Sequence, residues 1–176
     1  MRPGLEIKAM PGGGIARGGR VEGYASRFGV PDRAGDVVKR GAFARSLERM
    51  ARDGRAVRFL WQHDPARPVG VWERIEEDAT GLFVSGRLVA GTAGGDEAAR
   101  LLAAGALDGL SIGYRVVKAR PNRTTGGRTL VEIDLWEVSL VTFPMLPSAR
   151  AALSVPDADL VAGALAEALA EGPHPR

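Results

Sequence analysis

Cysteine is absent from the 176 residues. That excludes disulfide stapling and thiolate nucleophiles, and it leaves too few ligands for a structural zinc site. Histidine is scarce: there are two, and His174 stands between prolines near the chain end, where order is least expected. His63 is therefore the one imidazole placed to do proton chemistry near neutral pH. No apolar run approaches the roughly 18 residues that span a bilayer. The start, Met1-Arg2-Pro3-Gly4, lacks the apolar stretch of a secretion signal. A cytoplasmic protein with no membrane partner, no cofactor and no metal is expected. Blocks of like charge are missing too. The net charge is +3 and the arginines are scattered. The most basic stretch, Arg115 to Arg128 with Lys118, Arg120 and Arg123, reads as a solvated hairpin rather than a phosphate track. Direct nucleic-acid binding is not expected.

What remains is an ordinary globular composition, 45% hydrophobic and 26% charged, at a length that suits one domain. The 24 glycines and 11 prolines point to the many turns of a strand-rich fold. Residues 1–19 are Gly-rich and read as a flexible segment with a short strand at Leu5–Ala9. The body is expected over residues 20–155. Within it, strands are predicted at Val21–Phe28, Ala56–Trp61, Val69–Ile75, Gly81–Val89, Leu110–Arg120 and Arg128–Thr142. A helix over Gly41–Arg52 places Phe43, Leu47 and Met50 on one face, with Gly54 as its stop. A second helix over Asp96–Ala106 turns Ala98, Leu101 and Leu102 inward. Residues 156–176 read as an amphipathic helix and tail. Its apolar stripe through Leu160, Val161, Ala164, Leu165, Ala168 and Leu169 predicts self-association or docking.

Three segments could carry chemistry. Trp61-Gln62-His63-Asp64-Pro65 brings His63 to a strand end. Leu110-Ser111-Ile112-Gly113-Tyr114-Arg115 alternates strictly, so Ser111, Gly113 and Arg115 share the less apolar face, and Gly113 leaves room for a peptide beside the serine. In the last strand, Glu137 and Ser139 interrupt a same-parity apolar row of Val131, Ile133, Leu135 and Val141. Glu137 thus points inward unless a β-bulge near Trp136 resets the register; Glu132 and Asp134 point the other way. A hydroxyl, an imidazole and a carboxylate are the inventory of nucleophilic acyl transfer. His63 would take the proton of Ser111. Glu137 is the favoured third member over Asp134 and Glu132, and Asp64 is a poor choice because neighbouring strand residues point apart. Oxyanion donors are sought among the amides of the Pro144–Arg150 turn or in Arg115. An esterase is disfavoured, because no Gly-x-Ser-x-Gly elbow is present.

Read in order from about Val21 to Ala152, these segments resemble the prohead proteases of tailed bacteriophages and gene transfer agents. The resemblance rests on Gly23-Tyr24-Ala25 with Phe28, Asp36-Val37-Val38 before Gly41-Ala42-Phe43, and Gln62-His63-Asp64. It continues through Pro68-Val69-Gly70, Gly81-Leu82, Leu110-Ser111-Ile112-Gly113-Tyr114, Glu137-Val138-Ser139-Leu140-Val141 and Pro144. It implies a mostly β fold with flanking helices (α+β), a small antiparallel β-barrel of the herpesvirus assemblin type. It further implies a serine endopeptidase with His63 and Ser111 at the family's histidine and serine, and Glu137 at its acidic position. The implied partner is the major capsid protein or its scaffolding segment, which the enzyme would cleave, sometimes along with itself. The implied setting is the immature capsid in the host bacterial cytoplasm. The opposing reading is a non-enzymatic capsid assembly factor that keeps the same barrel.

Overall fold

A computed structural model of the chain describes residues 5–6 and 19–154. The amphipathic stretch predicted at 156–176 lies outside the described residues, as does most of the Gly-rich segment 1–19. Among the described residues, nine strands and two helices follow in the order β1 (Leu5–Glu6), β2 (Arg20–Arg27), β3 (Val37–Val38), α1 (Ala44–Asp53), β4 (Arg58–Trp61), β5 (Asp64–Glu77), β6 (Gly81–Leu88), α2 (Ala93–Ala103), β7 (Gly109–Pro121), β8 (Arg128–Val141) and β9 (Ala151–Ser154). The mostly β, α+β class is as the sequence predicts. Among the described residues, no helix is long and apolar enough to cross a membrane.

The strands form one sheet ordered β3-β8-β4-β5-β6-β2-β9, with β1 added to β5 and β7 to β8. Long β8 is its spine. One edge carries β7 antiparallel through twelve paired positions, and the other carries β3 and then β4, both parallel. The core gathers Val21, Phe43, Phe59, Trp72, Leu82 and Leu110 among others, and the β8 residues Ile133, Leu135, Val138 and Leu140 are fully buried in it. Phe59 and Trp72 stack at 3.8 Å between centroids, and the indole N–H donates to the Val138 carbonyl at 3.2 Å. Burial of each such side chain contributes on the order of 1.5–3 kcal/mol.

Local chemistry accounts for the helix ends. Gly54 takes a left-handed φ of 63° and returns its N–H to the Met50 carbonyl, closing α1 where the sequence placed its stop. Helix α2 starts three residues earlier than predicted, because Thr92 caps it by accepting the Gly95 N–H at 3.1 Å.

The sheet does not close into the small barrel that the resemblance implies. Among the described residues its ends are joined by an isolated bridge, Gly109 with Arg150, with the Leu110 N–H to Ala149 carbonyl bond at 3.0 Å and the Ala151 N–H to Asp108 carbonyl bond at 2.8 Å beside it. Between β8 and β9 the chain passes Pro144 and Pro147, which have no N–H to give a ladder. β9 then pairs along β2. The β7 edge beyond Leu110 is left facing a groove of about 220 Å³, whose lining includes Ala25, Val38, Ser111, Ile112, Met145 and Leu146. One wall is tied by Asp36, which is 7% exposed and takes the Arg128 backbone N–H at 2.8 Å and its guanidinium at 2.5 Å.

Candidate active site

The connection from β4 to β5 is only Gln62 and His63, because Trp61 already pairs with Asp64. Both residues have positive φ, 51° and 61°. A two-residue hairpin demands this left-handed pair so that its twist matches that of the strands. Neither residue is Gly or Asn, so each stores about 1–3 kcal/mol of backbone strain. The surroundings hold the corner in place. The Gln62 N–H donates to the Leu140 carbonyl at 2.9 Å, and the His63 N–H donates to the Ser139 hydroxyl at 3.2 Å. The Gln62 side-chain amide donates to the Thr142 hydroxyl at 2.8 Å.

Across β7 and β8, Ser111 lies opposite Ser139 and Gly113 opposite Glu137, while Tyr114 lies opposite Leu135. Trp136 is therefore an extra residue, a β-bulge, and it corrects the expectation that Glu137 faces the core. Below the bulge Ile133 and Leu135 point inward; above it, Val138 and Leu140 do. Glu137 and Ser139 leave by the other face, together with Ser111. They are nonetheless buried, at 8% and 0% exposure.

This register brings the three predicted side chains together. His63 Nε2 lies 2.9 Å from Ser111 Oγ, and its Nδ1 lies 2.5 Å from Glu137 Oε1. The second carboxylate oxygen of Glu137 accepts the Ser139 hydroxyl at 2.6 Å. Ser111 is 6% exposed and the His63 side chain 43%, so the site opens on the imidazole side. The hydrogen bond to Glu137 raises the His63 pKa above its ordinary 6.5; burial opposes that shift, and the negative charge of Glu137 adds to it. Gly113 serves a purpose other than the predicted open patch for a peptide. A Cβ there would come within 2.0 Å of Glu137 Oε1, so the space belongs to the carboxylate.

The alternative acids are occupied elsewhere. Asp134 accepts from Arg49 at 2.8 Å, and Glu132 accepts from Arg45 at 3.1 Å. Asp64 accepts the Ala66 N–H at 2.9 Å. Arg115 reaches toward Asp134 at 3.6 Å rather than toward Ser111. Gln62 and Ser139 stand in the sequence as motif neighbours of His63 and Glu137, with no role of their own assigned: the turn at Gln62 has no Gly or Asn to announce it, and Ser139 otherwise shows as a break in an apolar row. Among the described residues, no cluster of three His, Asp or Glu is placed to hold a metal.

The arrangement can pass a proton from a hydroxyl to an imidazole whose far nitrogen is held by a carboxylate. Known proteins share the surrounding frame. The prohead protease of Enterobacteria phage HK97 is 35% identical over 133 residues, covering 74% of this chain; the match spans 58% of that relative's length. The capsid assembly protease of bacteriophage T4 superposes with a TM-score of 0.60 at 19% identity, over 81% of this chain and 93% of its own. The KSHV protease, solved with a hexapeptide phosphonate inhibitor, does so with a TM-score of 0.54 at 18% identity, over 83% and 68%. At such identities the two structures speak for the fold alone. The sequence itself matches the family described as Caudovirus prohead serine protease over residues 6–162. That span takes in every strand from β2 to β9, and the chain belongs to that family.

Proposed function

We propose that the chain is a serine endopeptidase of capsid maturation, cleaving the scaffolding portion of a major capsid protein, and itself, inside the immature shell. The observation that carries this reading is the unbroken contact line from Ser111 through His63 to Glu137. Ser111 Oγ attacks the scissile carbonyl while His63 Nε2 takes its proton. Glu137 holds the Nδ1 proton and stabilises the imidazolium. The tetrahedral intermediate expels the amine, which leaves with the proton from His63, and the acyl group stays on Ser111. Water, deprotonated by His63, then attacks the ester; the acid is released and Ser111 recovers its proton.

The amides of Met145 and Leu146, which line the groove with Ser111, are the proposed oxyanion donors. Losing one such donor typically costs about 10²–10³ in rate. Arg115 is less suited, being directed at Asp134. The capsid substrate is drawn from the names of the HK97 and T4 relatives.

The test is co-expression with the capsid precursor of the same genome, followed by intact mass measurement of both chains. Scission is expected with the natural sequence and none with Ser111→Ala at equal folded yield. Undiminished processing by that variant removes the proposal and leaves a non-enzymatic assembly factor.

A further inference from the structure

Ser139 is fully buried, at 0% exposure, and sits between two parts of the site. Its hydroxyl donates to Glu137 Oε2 at 2.6 Å and accepts the His63 backbone N–H at 3.2 Å. One oxygen thus ties the acid on β8 to the strained corner that carries the imidazole. Glu137 makes no ion pair with a lysine or arginine among the described residues; its charged oxygens are met by His63 and Ser139. Without the hydroxyl, Oε2 would be buried with no donor, and the carboxylate could turn about its own axis away from Nδ1. The His63 N–H would lose its acceptor in the same step.

We infer that Ser139 is a positioning residue of this site: it fixes the orientation of Glu137 toward Nδ1 and the height of the His63 turn, and so sets how far the imidazole is activated. The inference rests on the catalytic reading above. It assigns no contact with substrate to Ser139, which lies beneath the carboxylate and pairs with Ser111 only through the strand ladder.

The experiment uses the full chain and a fluorophosphonate probe, which phosphonylates an activated serine and needs no peptide substrate. Labelling of Ser111 is followed by intact mass as a function of pH in the natural sequence, Ser139→Ala, Ser139→Thr and Ser111→Ala. Separately, the His63 ring is titrated by NMR with Ser111→Ala in the background, which prevents self-cleavage. Ser139→Ala is expected to slow labelling by about 10- to 100-fold, the scale of a small misplacement of reacting groups. It should also move the pH midpoint of labelling, and the His63 titration with it, down toward 6.5. Ser139→Thr keeps the hydroxyl and is expected to restore both.

A folded Ser139→Ala with the rate, midpoint and ring titration of the natural sequence would overturn the inference. So would a slower rate with an unmoved midpoint, since a merely structural role predicts that outcome. If Ser139→Ala does not fold, Ser139→Cys, which keeps a weak donor in the same space, is expected to give an intermediate midpoint; an unshifted one counts against the role. Ser111→Ala keeps the two readings apart. Continued labelling of that variant means the catalytic reading has failed, whatever Ser139 does.

Discussion

Asp134 and Glu137 stand three residues apart on one strand. Opposite them on β7 are Arg115 and Gly113, two residues apart, so the Trp136 bulge sends both carboxylates out of the same face. Their surroundings differ completely. Asp134 receives Arg49 at 2.8 Å, Arg115 at 3.6 Å and the Trp136 indole at 3.3 Å, and Glu132 beside it takes Arg45 and Arg49. Glu137 is left to one imidazole and one hydroxyl. A carboxylate saturated by guanidinium groups has its charge spent on holding α1 to β8. One whose strongest partner is a titratable ring can still influence proton transfer. The bulge separates these two settings within a few residues.

The sharpest way to break the comparison is to neutralise each acid in turn. Glu137→Gln keeps the shape but removes the charge that stabilises the imidazolium, and peptide cleavage is expected to fall by about 10⁴-fold. Asp134→Asn should leave cleavage unchanged. Equal losses in a kinetic assay would mean that the two carboxylates are not functionally distinct. Gly113→Ala comes next. It forces the Glu137 carboxylate out of its space, and a loss of about 10²-fold is expected, with folding followed by circular dichroism to separate misplacement from collapse.

His63 beside Glu137 and Asp134 in its arginine cluster carry pH dependences of opposite sign. Raising the pKa of His63 in the fold favours the protonated ring, so its contribution to stability is fully present below pH 6.5 and is lost as pH rises through the higher folded value. Cleavage, which needs the neutral ring, should rise over that same window above pH 6.5. The Arg49 hydrogen bond lowers the pKa of Asp134, against the opposing effect of burial. Its contribution is therefore present above the ordinary carboxylate pKa and is lost as pH falls through the depressed one. Denaturant midpoints across pH should show Glu137→Gln flattening the alkaline limb and Asp134→Asn flattening the acid one. The smallest effect expected is that of Asp134→Asn on stability near neutral pH, about 1 kcal/mol for a partly exposed pair. A much larger value from denaturant unfolding would mark that cluster as more than a surface tether.

The sequence spoke clearly where periodicity and special residues coincide. The alternation of β7, the spacing of Phe43, Leu47 and Met50 in the first helix and the stop at Gly54 could all be read directly. His63, Ser111 and Glu137 could be singled out as candidates by residue type, but only the fold shows their side chains meeting. The sequence left two outcomes open where a single inserted residue changes parity, since a bulge near Trp136 could be named as an alternative but nothing in the residue type decides for it. The same limit hid the start of β5 at Asp64, where Pro65 and Pro68 and an exposed polar run mask a strand. It also hid β9, whose pairing with β2 depends on a partner more than a hundred residues away. Turn chemistry at Gln62 and His63 was invisible for a different reason. The usual Gly or Asn signal is missing, and tertiary contacts supply what the residue types do not.

That corner has a mechanical consequence. A loop of several residues could swing its passenger aside and later return it, but a turn of two residues locked between paired strands has no slack. The imidazole is mounted on the sheet almost as rigidly as the serine on its own strand. Silencing the proposed peptidase by withdrawing its imidazole would require unzipping β4 from β5, a large disruption for a small adjustment. Laying something across the groove beside Ser111 would achieve the same end while leaving the sheet intact.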